Sequence, residues 1–350
     1  MEKLEMIKDG LTFDDVLLEP RYSEIKTRSL IDLSVKIDKL NKTMKHPIIP
    51  ANMKTIIGYQ MARAVYLSGG LGLLHRFISV DEQLNILHKL QEEFNESVWS
   101  FLGFSVGVKS EDNLEVDYLV ARGAKILCID VAHGHSKLCI DMCEYISNMY
   151  PHVLLIAGNV ATYNGAYSLW AAGADIVKVG VGPGSLCTTR IETGNGVPQL
   201  SALMEASQSL KKIEASSHHS SKQRLIISDG GIKNAGDTVK ALCLSDMVMV
   251  GNVFAGCEET PGEILTIDGR SYKEYVGSST HKANHIEGVA AIVPSKGSFK
   301  NILTKMLEGI QSGCSYQGVN HVMKLKDNPV FIKITTSGLR ESHPHDVIIK

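Results

Sequence analysis

DIVKVGV (175–181), RLIISDG (224–230) and DMVMVGN (246–252) set the pattern by which the 350-residue chain is read. Each run is apolar at successive positions rather than at alternate ones, and each closes on Gly, Asn or Asp, which is how a strand buried on both faces is written. Working outward, five more such runs precede them: HPIIPANM (46–53), LGLLH (71–75), VWSFLGFSVGV (98–108), KILCIDV (125–131) and HVLLIAGNV (152–160). Segments of helical period lie between most of the runs. Ser79 and Glu82 form a capping box ahead of DEQLNILHKL, and Leu138, Met142, Ile146 and Met149 stripe one face of a helix after Ser136. Eight strands alternating with helices predict a (β/α)8 barrel, with residues 1–350 forming a single catalytic domain. The stretch 253–298 breaks the repeat: Asp268-Gly269 in ILTIDGRSYKEYVG predicts a hairpin which, with a short flap, covers the barrel mouth. EASSHHSSKQR (214–224) reads as a surface loop.

Composition narrows the function classes. The chain is 44% apolar and 21% charged, with a net charge of −2 and scattered basic residues, so nothing suggests a grip on nucleic acid or an anionic membrane. No run approaches the roughly 18 apolar residues of a bilayer span, and MEKLEMIKDG lacks the core of a signal peptide. A cytoplasmic protein with a small-molecule partner is expected. Seven cysteines without a C-x-x-C pair argue against a disulfide framework or structural zinc, and the histidines of HGH (133–135), SSHHSS (216–221) and HPH (343–345) read as loop residues rather than metal ligands.

A barrel of this type builds its site at the C-terminal ends of the strands. That gathers Asn52, Met53, His75, Arg76, Gly107, Asp130, Asn159, GVGPGSLCTTR (180–190), Asp229, Gly230, Gly231, Gly251 and Asn252 at one mouth. The loops after strands seven and eight are the usual phosphate site, and Asp229 has the acceptors to bind both hydroxyls of a ribose, so this pair reads as a nucleoside monophosphate site. Two glycine turns with a capping aspartate are the plain alternative. In the other loop, Cys187 stands among hydroxyls just before Arg190, a setting that favours an accessible thiolate and a nucleophilic role, against the alternative of a structural cysteine. No G-x-G-x-x-G follows a first strand.

VGPGSLCTTR (181–190), AGNVAT (157–162), SDGGI (228–232) and SGCSYQG (312–318) resemble the IMP dehydrogenase and GMP reductase family, and the likeness runs from LTFDDVLLEP (11–20) to ESHPHDV (341–347). The resemblance implies a (β/α)8 barrel, a homotetramer, and Cys187 as the residue that adds to C2 of the purine. The family's dehydrogenases hydrolyse that adduct with an Arg-Tyr pair on a long flap. Here YVGSSTHKAN (275–284) runs straight into HIEGVAAIVPSKGS (285–298) without such a pair, and the inserted regulatory domain pair of many dehydrogenases is also missing. PANMKTII (50–57), LLHRF (73–77), SVGVK (105–109) and PQLSA (198–202) are similar to the reductases, whereas EETPGE (258–263) and GLRESHPHDV (338–347) look like dehydrogenase segments.

On this resemblance the expected activity is NADPH-dependent reduction of GMP to IMP and ammonia, with NAD-dependent IMP dehydrogenation as the alternative and an idle purine-nucleotide sensor as a third reading. Cys187, Thr189 and Glu287 are the implied catalytic residues. Ser185, Gly230, Gly231, Gly251 and Asn252 would take the phosphate loop, Asp229 the ribose, with Tyr275 nearby; Arg76, Asp130, Ser278 and Ser279 would face NADPH. Carbonyls of Gly182, Gly184 and Cys187, with those of Glu341, Ser342 and His343 in the tail (338–350) at a subunit interface, would surround potassium. Asn252 and Lys54 depart from the family's usual residues.

Overall fold

The computed structural model describes residues 7–216, 222–277 and 288–347. Eight parallel strands carry the fold: β1 (Ile48–Pro50), β2 (Gly72–Leu74), β3 (Leu102–Val106), β4 (Ile126–Asp130), β5 (Leu154–Val160), β6 (Ile176–Val179), β7 (Leu225–Asp229) and β8 (Met247–Val250). Their order is β1-β8-β7-β6-β5-β4-β3-β2, so consecutive strands are neighbours except where β1 meets β8. β1 and β2 lie in contact without a ladder between them, which nearly closes a (β/α)8 barrel. Each of the eight runs contains one strand. VWSFLGFSVGV is trimmed at its start, because Glu96–Ser100 forms a 3-10 turn and only Leu102–Val106 enters the sheet.

Two-sided burial explains the absence of alternation. Ile49, Leu73, Ile126, Cys128, Ile156, Ile176, Ile227 and Met249 fill the barrel interior, while Leu74, Leu127, Ile129, Leu155, Val177, Ile226 and Val248 from the same strands face the helices. A hairpin of Val35–Ile37 and Lys42–Met44 lies beneath the strands and contributes Val35, Ile37 and Met44 to the interior cluster, plugging the N-terminal end. Those strands of three residues each carried no readable signal.

The helices include α1 (Tyr59–Ser68), α2 (Val80–Glu93), α3 (Asp112–Ala121), α4 (Lys137–Met149) and α5 (Tyr163–Ala171). Ser79 and Glu82 close the expected capping box on α2. The stripe expected on α4 is corrected: Leu138 and Met149 are exposed, and the buried face is Cys139, Met142, Cys143 and Ile146. Treating Cys139 and Cys143 as small apolar residues at i and i+4 shifts the face by one position. Beyond the barrel mouth, β9 (Leu265–Ile267) and β10 (Arg270–Val276) form the expected hairpin, with Asp268 at φ 50° and Gly269 at φ 74°, the left-handed pair of a type I′ turn. A third antiparallel strand, β11 (Ala290–Pro294), completes this sheet. Residues 217–221, the centre of the Ser- and His-rich stretch, lie outside the described residues. Among the described residues no helix is long and apolar enough to cross a membrane.

Candidate active site

The cysteine loop follows β6 and locks onto the end of β7. A Cβ on Gly180 would stand 2.0 Å from the Asp229 carbonyl oxygen, so only glycine permits this approach. Cys187 is half-buried, whereas the other six cysteines are buried. Burial pushes the thiols of Cys243, Cys257 and Cys314 up to about 12, which keeps them protonated and inert. Cys187 Sγ donates to Thr189 Oγ1 at 3.1 Å, bringing two of the expected catalytic residues together. The loop is stitched to the upper sheet: Cys187 bridges Gly288, and Val289 N–H donates to the Leu186 carbonyl at 3.2 Å. Glu287, the chain neighbour of Gly288, lies outside the described residues, as do Ser278 and Ser279. Arg190 has a role in the loop backbone as well. Its guanidinium donates to the carbonyls of Val197 at 2.6 Å and Val181 at 3.5 Å, so it braces the loop backbone.

The charge pattern is set by a residue the sequence reading missed. Lys178 occupies an inward position of β6, is 2% exposed, and its ammonium lies 2.7 Å from Asp229 Oδ2 and 3.0 Å from Asp130 Oδ1. It also donates to Asn159 Oδ1, and Asn159 Nδ2 in turn donates to Asp229 Oδ2 at 2.9 Å. Burial disfavours the charged lysine, but Asp229 and Asp130 outweigh it and hold the ammonium well above its ordinary range. Burial likewise pushes the Asp130 carboxyl up, and Lys178, with Arg76 and Asn52, brings it below the usual carboxylate range. A lysine inside a run that is otherwise apolar on both faces was the available signal.

Gly251 and Tyr275 meet at the end of β8. A Cβ on Gly251 would sit 2.7 Å from the Tyr275 hydroxyl oxygen. Tyr275 is 4% exposed among Ile56, Leu186 and Ala255, and burial raises its phenol, leaving a neutral O–H at physiological pH. Ser185 and Gly231 line a common cavity of about 290 Å³ with Arg190, Gln199 and Lys233. Gly230 and Gly231 both adopt positive φ there. A larger cavity, about 540 Å³, lies among Lys39, Asp175 and Lys222. These residues cluster at the N-terminal end of the strands, remote from Cys187, the end that serves stability in such barrels.

On the cofactor side, Arg76 Nε donates to the Asp130 carbonyl at 2.9 Å and its guanidinium lies 4.9 Å from the Phe77 ring centroid. His75 beside it is 3% exposed; burial, followed by the Lys54 charge, lowers its pKa to about 4. In the tail, Glu341 ends the short helix Thr336–Glu341, and Ser342 and His343 follow on its exposed end. Among the described residues no group of three or more His, Cys, Asp or Glu side chains stands ready to hold a metal ion.

Fold and site place the protein among the (β/α)8 barrels that assemble their chemistry at the C-terminal rim. The chain belongs to the IMP dehydrogenase / GMP reductase domain family, whose description matches residues 10–345. It is a family of oxidoreductases that bind purine nucleotides and use a nicotinamide cofactor. The chain is 33% identical over 408 aligned positions to the inosine-5'-monophosphate dehydrogenase of Borreliella burgdorferi, an alignment covering 98% of each protein. It is 41% identical over 269 positions to the dehydrogenase of Chlorobaculum tepidum, covering 71% of this chain and 53% of that one. A GMP reductase of Leishmania donovani is 29% identical over 493 positions, covering 98% of each. Alignments of 408 and 493 positions on a chain of 350 residues mean that these relatives carry segments this chain lacks.

Proposed function

We propose that the protein is a GMP reductase, converting GMP and NADPH to IMP, ammonia and NADP through a covalent Cys187 adduct. The observation that carries the reading is the thiol itself: Cys187 is the accessible cysteine, hydrogen-bonded to Thr189 and bridged to Gly288 next to Glu287. Cys187 Sγ adds to C2 of the purine. Thr189 and Glu287 relay protons to the 2-amino group, which leaves as ammonia once protonated, because an unprotonated amine is a poor leaving group. The bound nicotinamide supplies the hydride that replaces sulfur on C2. Asp229 is bonded through Oδ2 to Lys178 and Asn159, and its second oxygen accepts from the ribose hydroxyls. Ser185, Gly230, Gly231, Gly251 and Asn252 hold the 5'-phosphate, with Tyr275 beside Gly251.

Arg76, Asp130, Ser278 and Ser279 face the cofactor. Uncharged carbonyls suit a large monovalent cation, so Gly182, Gly184 and Cys187 of one copy with Glu341, Ser342 and His343 of a neighbour form the proposed potassium site of a homotetramer. The tail at 338–350 lies at that interface, residues 253–298 cover the mouth of the single barrel domain, and the enzyme works in the cytoplasm.

The names of most relatives favour a second reading, IMP dehydrogenase. The ten residues between Gly277 and Gly288, SSTHKANHIE, contain no Arg-Tyr pair to activate water, which favours the reductase. Incubation with GMP and NADPH, followed by identification of IMP and ammonia, tests the proposal. Sustained formation of XMP from IMP and NAD establishes the second reading instead, and turnover in neither assay with retained nucleotide binding establishes the sensor.

A further inference from the structure

We infer that Lys296 is a positioning residue for the nucleotide phosphate, acting through the two peptide planes that follow Asn252. The inference rests on the proposed nucleotide reading and assigns a role to a side chain that reading does not use. Lys296 follows β11. Its ammonium donates to the Asn252 carbonyl at 2.5 Å and to the Val253 carbonyl at 3.4 Å. In a trans peptide the C=O and the following N–H point in opposite directions. Drawing both carbonyls toward one ammonium therefore turns the N–H groups of Val253 and Phe254 away from it. Phe254 N–H closes on the Gly251 carbonyl at 3.0 Å, as does Ala255 N–H at 2.9 Å, so the turn after β8 is folded on itself and its orientation depends on what holds its outer side.

The hold is built from the upper sheet. Lys296 N–H donates to the Gly256 carbonyl at 2.9 Å and Glu258 N–H to the Gly297 carbonyl at 3.0 Å, so the backbone that bears Lys296 is tied to the same loop it grips. A second lysine does comparable work further along: Lys273 on β10, 3% exposed, donates to the carbonyls of Glu258 at 3.0 Å and Thr260 at 2.7 Å. The two differ in what lies behind their carbonyls. Lys273 fixes residues six and more positions past Asn252, whereas Lys296 fixes the peptide of Asn252 itself. Hydrogen bonds from a charged donor are the stronger kind, and losing one here frees the plane that carries the Val253 N–H, the backbone donor directly after the proposed phosphate residues Gly251 and Asn252.

The test compares GMP with guanosine, which lacks the phosphate, by equilibrium binding to the full chain carrying Lys296→Met, Lys296→Arg or Lys273→Met. Lys296→Met is expected to weaken GMP about tenfold while guanosine changes by less than about twofold, and Lys296→Arg to recover most of the loss. Lys273→Met is expected to lower the melting temperature without altering the GMP-to-guanosine ratio. If Lys296→Met is too unstable to assay, Lys296→Gln is read on the same ratio. A GMP-to-guanosine ratio that Lys296→Met, or Lys296→Gln in its place, leaves unchanged from wild type overturns this inference alone. A wild-type protein that binds GMP and guanosine alike overturns the nucleotide reading beneath it.

Discussion

At the floor of the barrel one carboxylate stands between two ammonium groups; at the mouth one ammonium group stands between two carboxylates. Asp175, 4% exposed, takes Lys39 at 2.8 Å, Lys222 at 2.9 Å and the Leu155 N–H at 2.8 Å. The floor lysines come from segments flanking the strands, and their charge exceeds that of the carboxylate they hold. Lys178 at the mouth is on a strand, and the two carboxylates exceed it by one charge. At the floor both carboxylate oxygens already carry an ammonium partner, so that cluster ties the ends of the strands together. Excess negative charge leaves acceptor oxygens over, which is what hydroxyl groups of a ligand need. Thus two ionic clusters of three side chains each differ in the sign of their excess charge: the floor holds its carboxylate fully paired, and the mouth keeps carboxylate oxygens free for the ribose of the proposed function.

The largest effect is expected where the mouth meets the thiol. Cys187→Ala should lower turnover by at least about 10³-fold while nucleotide affinity stays within about tenfold, since no phosphate or ribose contact is removed. Substantial residual turnover in a steady-state assay would rule out the covalent route. Next comes Lys178→Met, which leaves the half-buried Asp130 and Asp229 without their cation. A stability loss of about 3–5 kcal/mol in denaturant titration is expected, together with weaker nucleotide binding. A variant as stable as wild type would show that the mouth cluster is not an ionic unit.

Acid reaches both ends through histidine. His46, just before β1, is 2% exposed and burial lowers its pKa to about 4, as burial and Lys54 do for His75 after β2. The unfolded chain takes up these protons near pH 6.5 and the folded one only near 4, so stability is complete above about 6.5 and falls as pH drops through that window. The loss approaches roughly 3 kcal/mol per histidine at full effect. His46→Gln should flatten the acid limb of a stability–pH curve without altering nucleotide KM, and an unchanged limb would count against the burial argument. The smallest effect belongs to the floor: Asp175→Asn should cost about 1–3 kcal/mol of stability with KM moved less than twofold. A large KM change there would erase the distinction between the two ends.

The barrel was legible because two-sided burial writes strands as unbroken apolar runs, and the cysteine loop because its residues are unusual together. Lys178 was hidden for the same reason the strands were visible: a charge within an apolar run reads as a break or an exposed edge, and only closure of the barrel shows that the position faces inward. The face of α4 was misjudged because cysteine carries a weak hydrophobic signal even when it is buried. The floor hairpin escaped notice because strands of three residues have too little periodicity to detect. Lys296 sits in an ordinary polar loop sequence, and its partners are main-chain carbonyls that no side-chain pattern reveals.

The ends of β10 and β11 are clamped together where Gly277 N–H donates to the Val289 carbonyl at 3.0 Å, so the two anchors of the ten-residue connection between Gly277 and Gly288 are fixed close together. The entropy of closing a loop between such anchors grows only logarithmically, about 0.6 kcal/mol for each doubling of length. A protein engineer can therefore treat this segment as a cartridge. Splicing in a longer one that carries a water-activating pair should leave the barrel's stability almost unchanged, and under the proposed function the insert would then decide whether the Cys187 adduct is reduced or hydrolysed.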